Sequence, residues 1–278
     1  MNLISKYVAR NESLKRALSS SSLVKRIAQR FVLTENLEES NLIGKWYDQG
    51  FGVILYPIEA DAQNYLEALT FWSEKPVAGS VSLRAPFEDL NLVVEEAAKK
   101  GVRLEFDMRA AKEVDQTLQL YSEIKRKHSD SVICLQANLY RTATDIEDLH
   151  DLSPIVRLVK GAFKSERSYR CREEIDLNYI RLAKMLINRD VKTYLATHDE
   201  KIIKELISFS EERGIGRDQF GFQMLHGVRS TLQEELRKDG YEVWKYLAYG
   251  EDWVPYCINR LLERKENISF ALEAILKE

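Results

Sequence analysis

Eight short β-rich runs, each followed by a segment of helical length and amphipathic pattern, constrain the fold of this chain more than any other feature of the sequence. They follow one another with no Pro/Gly-rich linker between them. A strand and a helix that alternate eight times are typical of a parallel sheet closed on itself. The sequence therefore predicts the α/β class and a (β/α)8 TIM barrel. The predicted strands cover residues 53–56, 79–84, 102–107, 132–136, 155–160, 192–197, 219–224 and 243–248.

The chain before the first predicted strand differs in charge from the rest. Residues 3–33 are predicted to be helical, and the first 33 residues hold seven Lys or Arg against one acid, Glu12. We expect an N-terminal helical arm over residues 1–50 and a barrel over 51–278, with the last helix over the barrel mouth. The basic arm is consistent with a solvated helix pair packed on the barrel, with a membrane-surface contact, or with a transit-like segment.

Composition narrows the class of protein. The 278 residues are 45% hydrophobic and 31% charged, and the net charge of -3 indicates no nucleic-acid partner. Three cysteines without CxxC spacing indicate a reducing compartment. We therefore expect a cytoplasmic location, with peripheral contact to the inner face of a membrane left open by the basic arm. No histidine or cysteine cluster has metal-ligand spacing, so no metal site is predicted.

Alternation along the third predicted strand places polar side chains inside the barrel. Arg103, Glu105 and Asp107 share one face, and the opposite face is apolar and suited to packing on helices. Buried charges need either a ligand or close pairing to offset desolvation. Two interpretations stay open: a self-paired structural network of these three residues, or a ligand site.

The carboxyl ends of the later strands carry the residues best suited to chemistry. Arg157 and Lys160 end the fifth run before Gly161, and the sixth ends in Ala-Thr-His-Asp (196–199). The carboxyl ends of parallel strands meet at one mouth of the barrel. These residues therefore predict a cationic mouth that is suited to an anionic cofactor or substrate. The last helix adds one polar face at i, i+3, i+4 and i+7: Tyr256, Asn259, Arg260 and Glu263.

Four motifs in register resemble the proline dehydrogenase family. They are Val-Arg-Leu-Val-Lys-Gly-Ala-Phe (156–163), Ala-Thr-His-Asp (196–199), Phe-Gln-Met-Leu-His-Gly (222–227) and the closing Tyr-x-x-x-Arg-x-x-Glu helix. The match runs from about Phe31 to about Leu276. The resemblance implies a barrel that binds FAD and oxidises L-proline to Δ1-pyrroline-5-carboxylate by hydride transfer, with electrons passed to a quinone-type acceptor.

The resemblance also implies the residues of the site. Those expected to hold the cofactor are Gln136, Arg157, Lys160, Gly161, Ala162, Thr197, His198, Gln223 and Glu263. Those expected in the catalytic substrate pocket are Ser82, Asp107, Phe163, Leu225, Tyr246, Asn259, Arg260 and Glu263.

Three pocket positions depart from the family pattern. Ser82 stands where a lysine is usual, Phe163 where a tyrosine is usual, and Asn259 where the first arginine of a carboxylate clamp is usual. Strand alternation offers a replacement cation in Arg84 or Arg109, either of which is expected to lean into the mouth. The departures leave two alternatives to proline oxidation: a flavoprotein for another cyclic amine or amino acid, and a non-catalytic homologue.

Overall fold

Strands and helices alternate along the chain in the structure, which is a computed structural model. It describes residues 7–8, 10–34, 37, 41–75, 79–162 and 165–263. The side chains of residues 15, 23, 27 and 259–263 are not described. The strands are β1 Val32–Leu33, β2 Gly52–Pro57, β3 Ser80–Leu83, β4 Arg103–Phe106, β5 Ser131–Gln136, β6 Ile155–Val159, β7 Thr193–Ala196, β8 Phe220–Leu225 and β9 Glu242–Tyr249. The α-helices are α1 Glu12–Ser20, α2 Ser22–Ala28, α3 Leu42–Asp48, α4 Ala62–Ser73, α5 Leu90–Lys100, α6 Val114–Lys125, α7 Thr142–Asp148, α8 Arg172–Asn188, α9 Glu200–Glu212, α10 Ser230–Lys238 and α11 Trp253–Glu263.

The sheet closes into a barrel. Strands β2 to β9 pair in chain order, and β9 pairs with both β8 and β2, all in parallel. Each predicted strand coincides with one of these eight to within one residue at either end. The predicted (β/α)8 barrel is therefore confirmed.

The apolar faces of the strands form the main core together with the surrounding helices. On β3 and β4, Val81, Leu83, Leu104 and Phe106 are fully buried in this layer. Burial of such side chains is the main favourable term in folding. The expectation that the apolar faces meet the helices while the polar faces point inward is confirmed.

The short strand β1 was not expected from the sequence. It pairs with β9 in the register Val32↔Ala248, beyond the stretch that β8 occupies along the same edge of β9. The close approach is possible because position 227 is glycine: a Cβ there would lie 1.6 Å from the carbonyl oxygen of Arg30. The prediction of helix over all of residues 3–33 was therefore wrong at 32–33, where a two-residue strand leaves no periodic signal.

The arm and the last helix pack together at the mouth. Helices α1 and α2 contact α11 in an apolar cluster that includes Tyr56, Trp253 and Val254. Tyr256 on α11 lies 6.0 Å from the ring of Tyr56, measured between centroids. The expected position of α11 over the mouth is confirmed. Among the described helices, none has the length and apolar character needed to cross a bilayer.

Candidate active site

The inward face of β4 places three charged residues at successive levels of the barrel. Arg103, at the amino end, donates to Asp130 at 2.8 Å and to the hydroxyl of Tyr194 at 2.8 Å. Glu105 and Asp107 lie nearer the carboxyl end and pair instead with an arginine from β6. The network is therefore not closed among these three residues: each has its direct partners on other elements, although the charge of Arg103 still acts on Glu105.

Glu105 is the buried centre of the site, with 1% of its surface exposed. Its carboxylate lies 3.3 Å from Arg157 and accepts hydrogen bonds from Ser80 at 3.1 Å and from Gln223 at 3.0 Å. Burial raises the pKa of Glu105, while the charges of Arg157 and Arg103 and these hydrogen bonds oppose the rise. The carboxylate thus fixes an arginine from β6 and an amide from β8, the two strands on either side of β7.

The second carboxylate, Asp107, joins this centre to the predicted substrate pocket. One oxygen pairs with Arg157, and the other lies 3.1 Å from the hydroxyl of Tyr246. That hydroxyl also lies 3.2 Å from Ser82. Burial raises the pKa of Tyr246 well above its ordinary value. Tyr246 therefore stays protonated and donates a hydrogen bond to the carboxylate of Asp107. Because its single proton is used there, the hydrogen bond with Ser82 is donated by the serine hydroxyl.

The predicted cofactor cation Lys160 is held by two carboxylates. Its ammonium nitrogen lies 2.5 Å from Asp176 on α8 and 3.1 Å from Asp199 at the start of α9. Partial burial raises the pKa of Asp199, but the hydrogen bond and charge of Lys160 outweigh this effect, and the pKa is lowered. Asp199 also caps α9 by accepting from the backbone N–H of Lys201. Asp176 was not identified from the sequence.

The ends of β7 and β8 are tied to each other. The backbone N–H of Leu225 donates to Nε2 of His198 at 2.9 Å, so this nitrogen is unprotonated. Thr197 is buried and accepts from the backbone N–H of Asp199 at 3.1 Å. These contacts bring together the two motifs that the sequence places after the sixth and seventh strands.

A buried support lies behind Leu225 and was also missed in the sequence. The amide of Gln233 donates to the carbonyl oxygens of Leu225 at 3.0 Å and Val228 at 2.7 Å. Its oxygen accepts from Lys245 at 2.8 Å, and the Lys245 ammonium lies 4.0 Å from the centre of the Phe51 ring. Burial lowers the pKa of Lys245 to about 8.

The remaining predicted residues fall into two groups. Gln136 is buried, and its side-chain amide donates to the carbonyl oxygen of Arg109. Gly161 follows β6 with a φ of 94°, and the next residue, Ala162, is exposed. A Cβ at position 161 would lie 1.9 Å from Asn138, which accounts for the glycine. Phe163 lies outside the described residues, as do the side chains of three residues of α11: Asn259, Arg260 and Glu263.

The mouth thus has two halves, which we name by the ligand that the family resemblance predicts for each. The cofactor half comprises the ends of β5 to β8, with Gln136, Arg157, Lys160, Thr197, His198 and Gln223. The substrate half comprises the ends of β3, β4 and β9, with Ser82, Asp107 and Tyr246.

The polar atoms of the cofactor half fit a flavin. Two buried polar atoms, Nε of Arg157 and Oε1 of Gln223, have no hydrogen-bond partner. Buried polar atoms are normally satisfied, so this pair indicates a place for a polar ligand on the inward faces of β6 and β8. A flavin carries both the hydrogen-bond acceptors and the imide N–H that such atoms require.

The fold and these residues define a (β/α)8 barrel whose carboxyl-end mouth is arranged for ligand chemistry. The family model described as proline dehydrogenase matches residues 25–273. The chain therefore belongs to the proline dehydrogenase family, as the motifs indicated.

Relatives in the family are identical to this chain at more than a third of the aligned residues. Proline dehydrogenase 2 of Bacillus subtilis (strain 168) is 38% identical over 194 residues, which are 69% of this chain and 64% of that protein. Proline dehydrogenase 1 of Bacillus subtilis subsp. natto is 34% identical over 223 residues, 80% of this chain and 74% of that protein. The chain thus spans about two thirds to three quarters of the length of these relatives.

Solved structures show the same fold. Proline utilization A of Bdellovibrio bacteriovorus, inactivated by N-propargylglycine, superposes with a TM-score of 0.78 at 19% identity, covering 95% of this chain and 36% of that one. Proline utilization A of Corynebacterium freiburgense gives 0.70 at 20% identity, covering 100% of this chain and 35% of that one. At this identity the likeness concerns the barrel alone.

Proposed function

We propose that this chain is an FAD-dependent enzyme that oxidises L-proline to Δ1-pyrroline-5-carboxylate and delivers the electrons to a quinone-type acceptor. The observation that carries the proposal is Arg157, held between Glu105 and Asp107 directly beside the ring of Tyr246, at 5.2 Å from its centroid. One arginine thereby borders both halves of the mouth. Membership of the proline dehydrogenase family supports the reaction class.

Bound FAD supplies the two-electron acceptor: the ring carbon of proline next to nitrogen gives up a hydride and the nitrogen gives up a proton, which leaves a C=N bond. The residues of this chain prepare that step. Arg157 and Lys160 provide positive charge that stabilises a negatively charged cofactor. Both are mostly buried and paired, so they are fixed before the substrate arrives.

The substrate half orients the amine and excludes water. Asp107 is held by both Arg157 and Tyr246, so its carboxylate has a fixed orientation toward a cationic nitrogen. Helix α11 packs over the mouth through Tyr256 and Tyr56. A site closed in this way strengthens the electrostatic contacts within it.

The test is the anaerobic addition of L-proline to the purified protein loaded with FAD. Loss of the visible flavin absorbance is the expected result. Bleaching by another cyclic amine and not by L-proline would favour the flavoprotein with a different substrate. A protein that takes up no FAD, or whose FAD no amine reduces, would favour the non-catalytic homologue.

The proposal includes peripheral attachment of the N-terminal arm to the inner, cytoplasmic face of a membrane that holds the quinone. Arg10, Arg16 and Lys25 are exposed on the arm. Basic side chains near an anionic leaflet contribute roughly 1 kcal/mol each. Cosedimentation with anionic vesicles is expected to fall with added salt and in an Arg16→Glu/Lys25→Glu variant. Binding that ignores both changes would contradict the attachment.

A further inference from the structure

The carboxylate of Glu105 receives hydrogen bonds from three other strands inside the barrel. Its Oε1 accepts from the hydroxyl of Ser80 on β3 at 3.1 Å and from Nε2 of Gln223 on β8 at 3.0 Å. Its Oε2 accepts from Nη1 of Arg157 on β6 at 3.3 Å. Arginine and an amide nitrogen can only donate, so these contacts favour the ionised carboxylate against the effect of burial. Glu105 is therefore held as an anion in the interior.

The contacts with Glu105 determine which atoms of its two nitrogen-bearing partners remain for a ligand. Arg157 uses Nη1 for Glu105 and Nη2 for Asp107, which leaves Nε as a donor without a partner. Gln223 turns its amide nitrogen to the carboxylate, which leaves Oε1 as an acceptor without a partner. Arg157 and Gln223 have only 6% and 3% of their surface exposed. The ligand thus meets one donor and one acceptor, and Glu105 decides which is which.

Glu105 also reduces the positive charge that Arg157 offers to a cofactor. Its carboxylate lies 3.3 Å from the guanidinium in the barrel interior, where charges interact more strongly than in water. A flavin gains negative charge when it is reduced to its anionic form. A nearby anion disfavours that gain, whereas a nearby cation favours it. Ionised Glu105 therefore counteracts part of the effect of Arg157.

We propose that Glu105 is a positioning residue that presents Nε of Arg157 and Oε1 of Gln223 to the flavin and lowers its reduction potential. This inference rests on the proposed function, because it takes FAD as the ligand of these two atoms. Glu105 acts through its two partners and needs no contact with the substrate.

The experiment measures FAD affinity and flavin reduction potential without L-proline. Affinity comes from titration of the cofactor-free protein with FAD, followed by flavin fluorescence, and the potential from reduction beside dyes of known potential. Glu105→Gln removes the charge, and Glu105→Asp keeps the charge on a shorter side chain. The matched control is Glu242→Gln at the amino end of the barrel, where the carboxylate accepts from Tyr194 and Trp244.

In Glu105→Gln the new amide gives its oxygen to Arg157 and its nitrogen to Gln223, so the Gln223 amide has to turn its own oxygen away from the flavin. FAD affinity is expected to fall about tenfold. The potential is expected to rise by about 30 mV, which is a tenfold change in the equilibrium constant of a two-electron reduction. Glu105→Asp is expected to lose affinity with little change in potential. Glu242→Gln is expected to match the unmodified chain in both measurements.

A double-mutant cycle separates positioning from general support of the barrel. Gln223→Met removes the acceptor, so adding Glu105→Gln to it is expected to cost little further affinity. Additive losses would contradict positioning through Gln223. A potential that stays constant or falls in folded Glu105→Gln, checked by circular dichroism, would contradict the effect of the charge. If Glu105→Gln does not fold, unchanged FAD affinity in Glu105→Asp would overturn the proposal.

Failure of the proposed function gives a different result. In that case FAD binds and the variants shift affinity and potential as expected, but L-proline does not reduce the flavin of the unmodified chain. An unmodified chain that takes up no FAD would overturn both proposals.

Discussion

The two halves of the barrel mouth compensate their charges in different ways. Arg157 and Lys160, the cations of the cofactor half, are each held by two carboxylates. In the substrate half, Tyr246 contacts the carboxylate of Asp107 and the hydroxyl of Ser82, and Arg84 has no carboxylate partner among the described residues. Both cations of the cofactor half are thus compensated within the protein, whereas Arg84, which follows β3, is not paired with a carboxylate among the described residues.

The difference in charge compensation between the two halves has a physical reason. A buried ion pair holds its side chains firmly, because removal of one partner leaves an uncompensated buried charge and is strongly unfavourable. A cofactor that stays bound gains from such fixed contacts.

The largest expected effect comes from removing the arginine shared by both halves. Arg157→Met leaves Glu105 and Asp107 without their counter-ion, and we expect the free energy of unfolding to fall by about 3 to 5 kcal/mol. Urea denaturation measures it. The control is Lys184→Met, which breaks the surface pair with Glu205 and is expected to cost less than about 1 kcal/mol. Equal losses in the two variants would show that Arg157 is not central to the barrel interior.

A second prediction concerns Lys245, the buried lysine behind the cofactor half, whose pKa is lowered to about 8. Below pH 8 both the folded and the unfolded chain hold this proton, and the folded state bears the cost of burying the charge. Above pH 8 only the unfolded chain still holds it, up to its ordinary pKa of about 10.4. Stability therefore rises with pH, by about 2 kcal/mol between pH 7 and pH 9.5 from this residue alone.

The measurement is urea denaturation of the unmodified chain and of Lys245→Met at pH 7, 8 and 9.5. The difference in unfolding free energy between the two proteins isolates the contribution of Lys245 from that of the other titrating groups. As the pH rises, the unmodified chain is expected to gain stability relative to Lys245→Met. A difference that stays constant over this range would contradict the lowered pKa. Arg84 cannot relieve its charge in this way, since arginine does not lose its proton in proteins.

The sequence predicted the barrel because each strand carries its own signal. Apolar runs bounded by polar turns locate β2 to β9, and alternation on β3 and β4 tells which side chains point inward. Strand β1 carries no such signal, since its two residues gain their partner only when the chain returns at Ala248 and Tyr249. Short elements defined by a distant partner cannot be found from local periodicity.

The site was predictable in its residues more than in its pairings. Lys160 was identified, but its partner Asp176 is supplied by another element, α8, and no local spacing links the two. Arg84 and Arg109 looked equivalent from strand alternation. The distinguishing signal was present, however, because Glu113 follows Arg109 by four residues and holds it.

A third prediction sharpens the role of the carboxylates in the cofactor half. Asp176→Asn leaves Lys160 paired with Asp199 alone, so its ammonium group is less firmly placed, and FAD affinity is expected to fall about tenfold. Titration of the cofactor-free protein with FAD, followed by flavin fluorescence, measures this change. Glu173→Gln on the same helix is the control, because its carboxylate accepts a hydrogen bond from the exposed Cys171. Tighter FAD binding in Asp176→Asn would show that this carboxylate competes with the cofactor for Lys160.

The smallest expected effect falls in the substrate half and separates the two halves by function. Tyr246→Phe removes the hydroxyl that holds Asp107 and Ser82, while the ring that packs on Arg157 stays in place. A hydrogen bond of this kind contributes about 1 kcal/mol, so kcat/KM for L-proline is expected to fall about fivefold. FAD affinity is expected to stay unchanged, because no hydrogen bond of this hydroxyl reaches the described residues of the cofactor half.

The matched control for Tyr246→Phe is Tyr249→Phe on the same strand, which loses a hydroxyl bonded at 3.3 Å to the carbonyl oxygen of Asn64 on α4 and not to any residue of the predicted site. Its kcat/KM is expected to stay within twofold of the unmodified enzyme. If Tyr246→Phe weakened FAD binding as much as it lowered kcat/KM, the division into halves would fail, because one network would then serve both ligands. If instead only KM for L-proline rose, Asp107 would act by placing the substrate and not by stabilising the transition state.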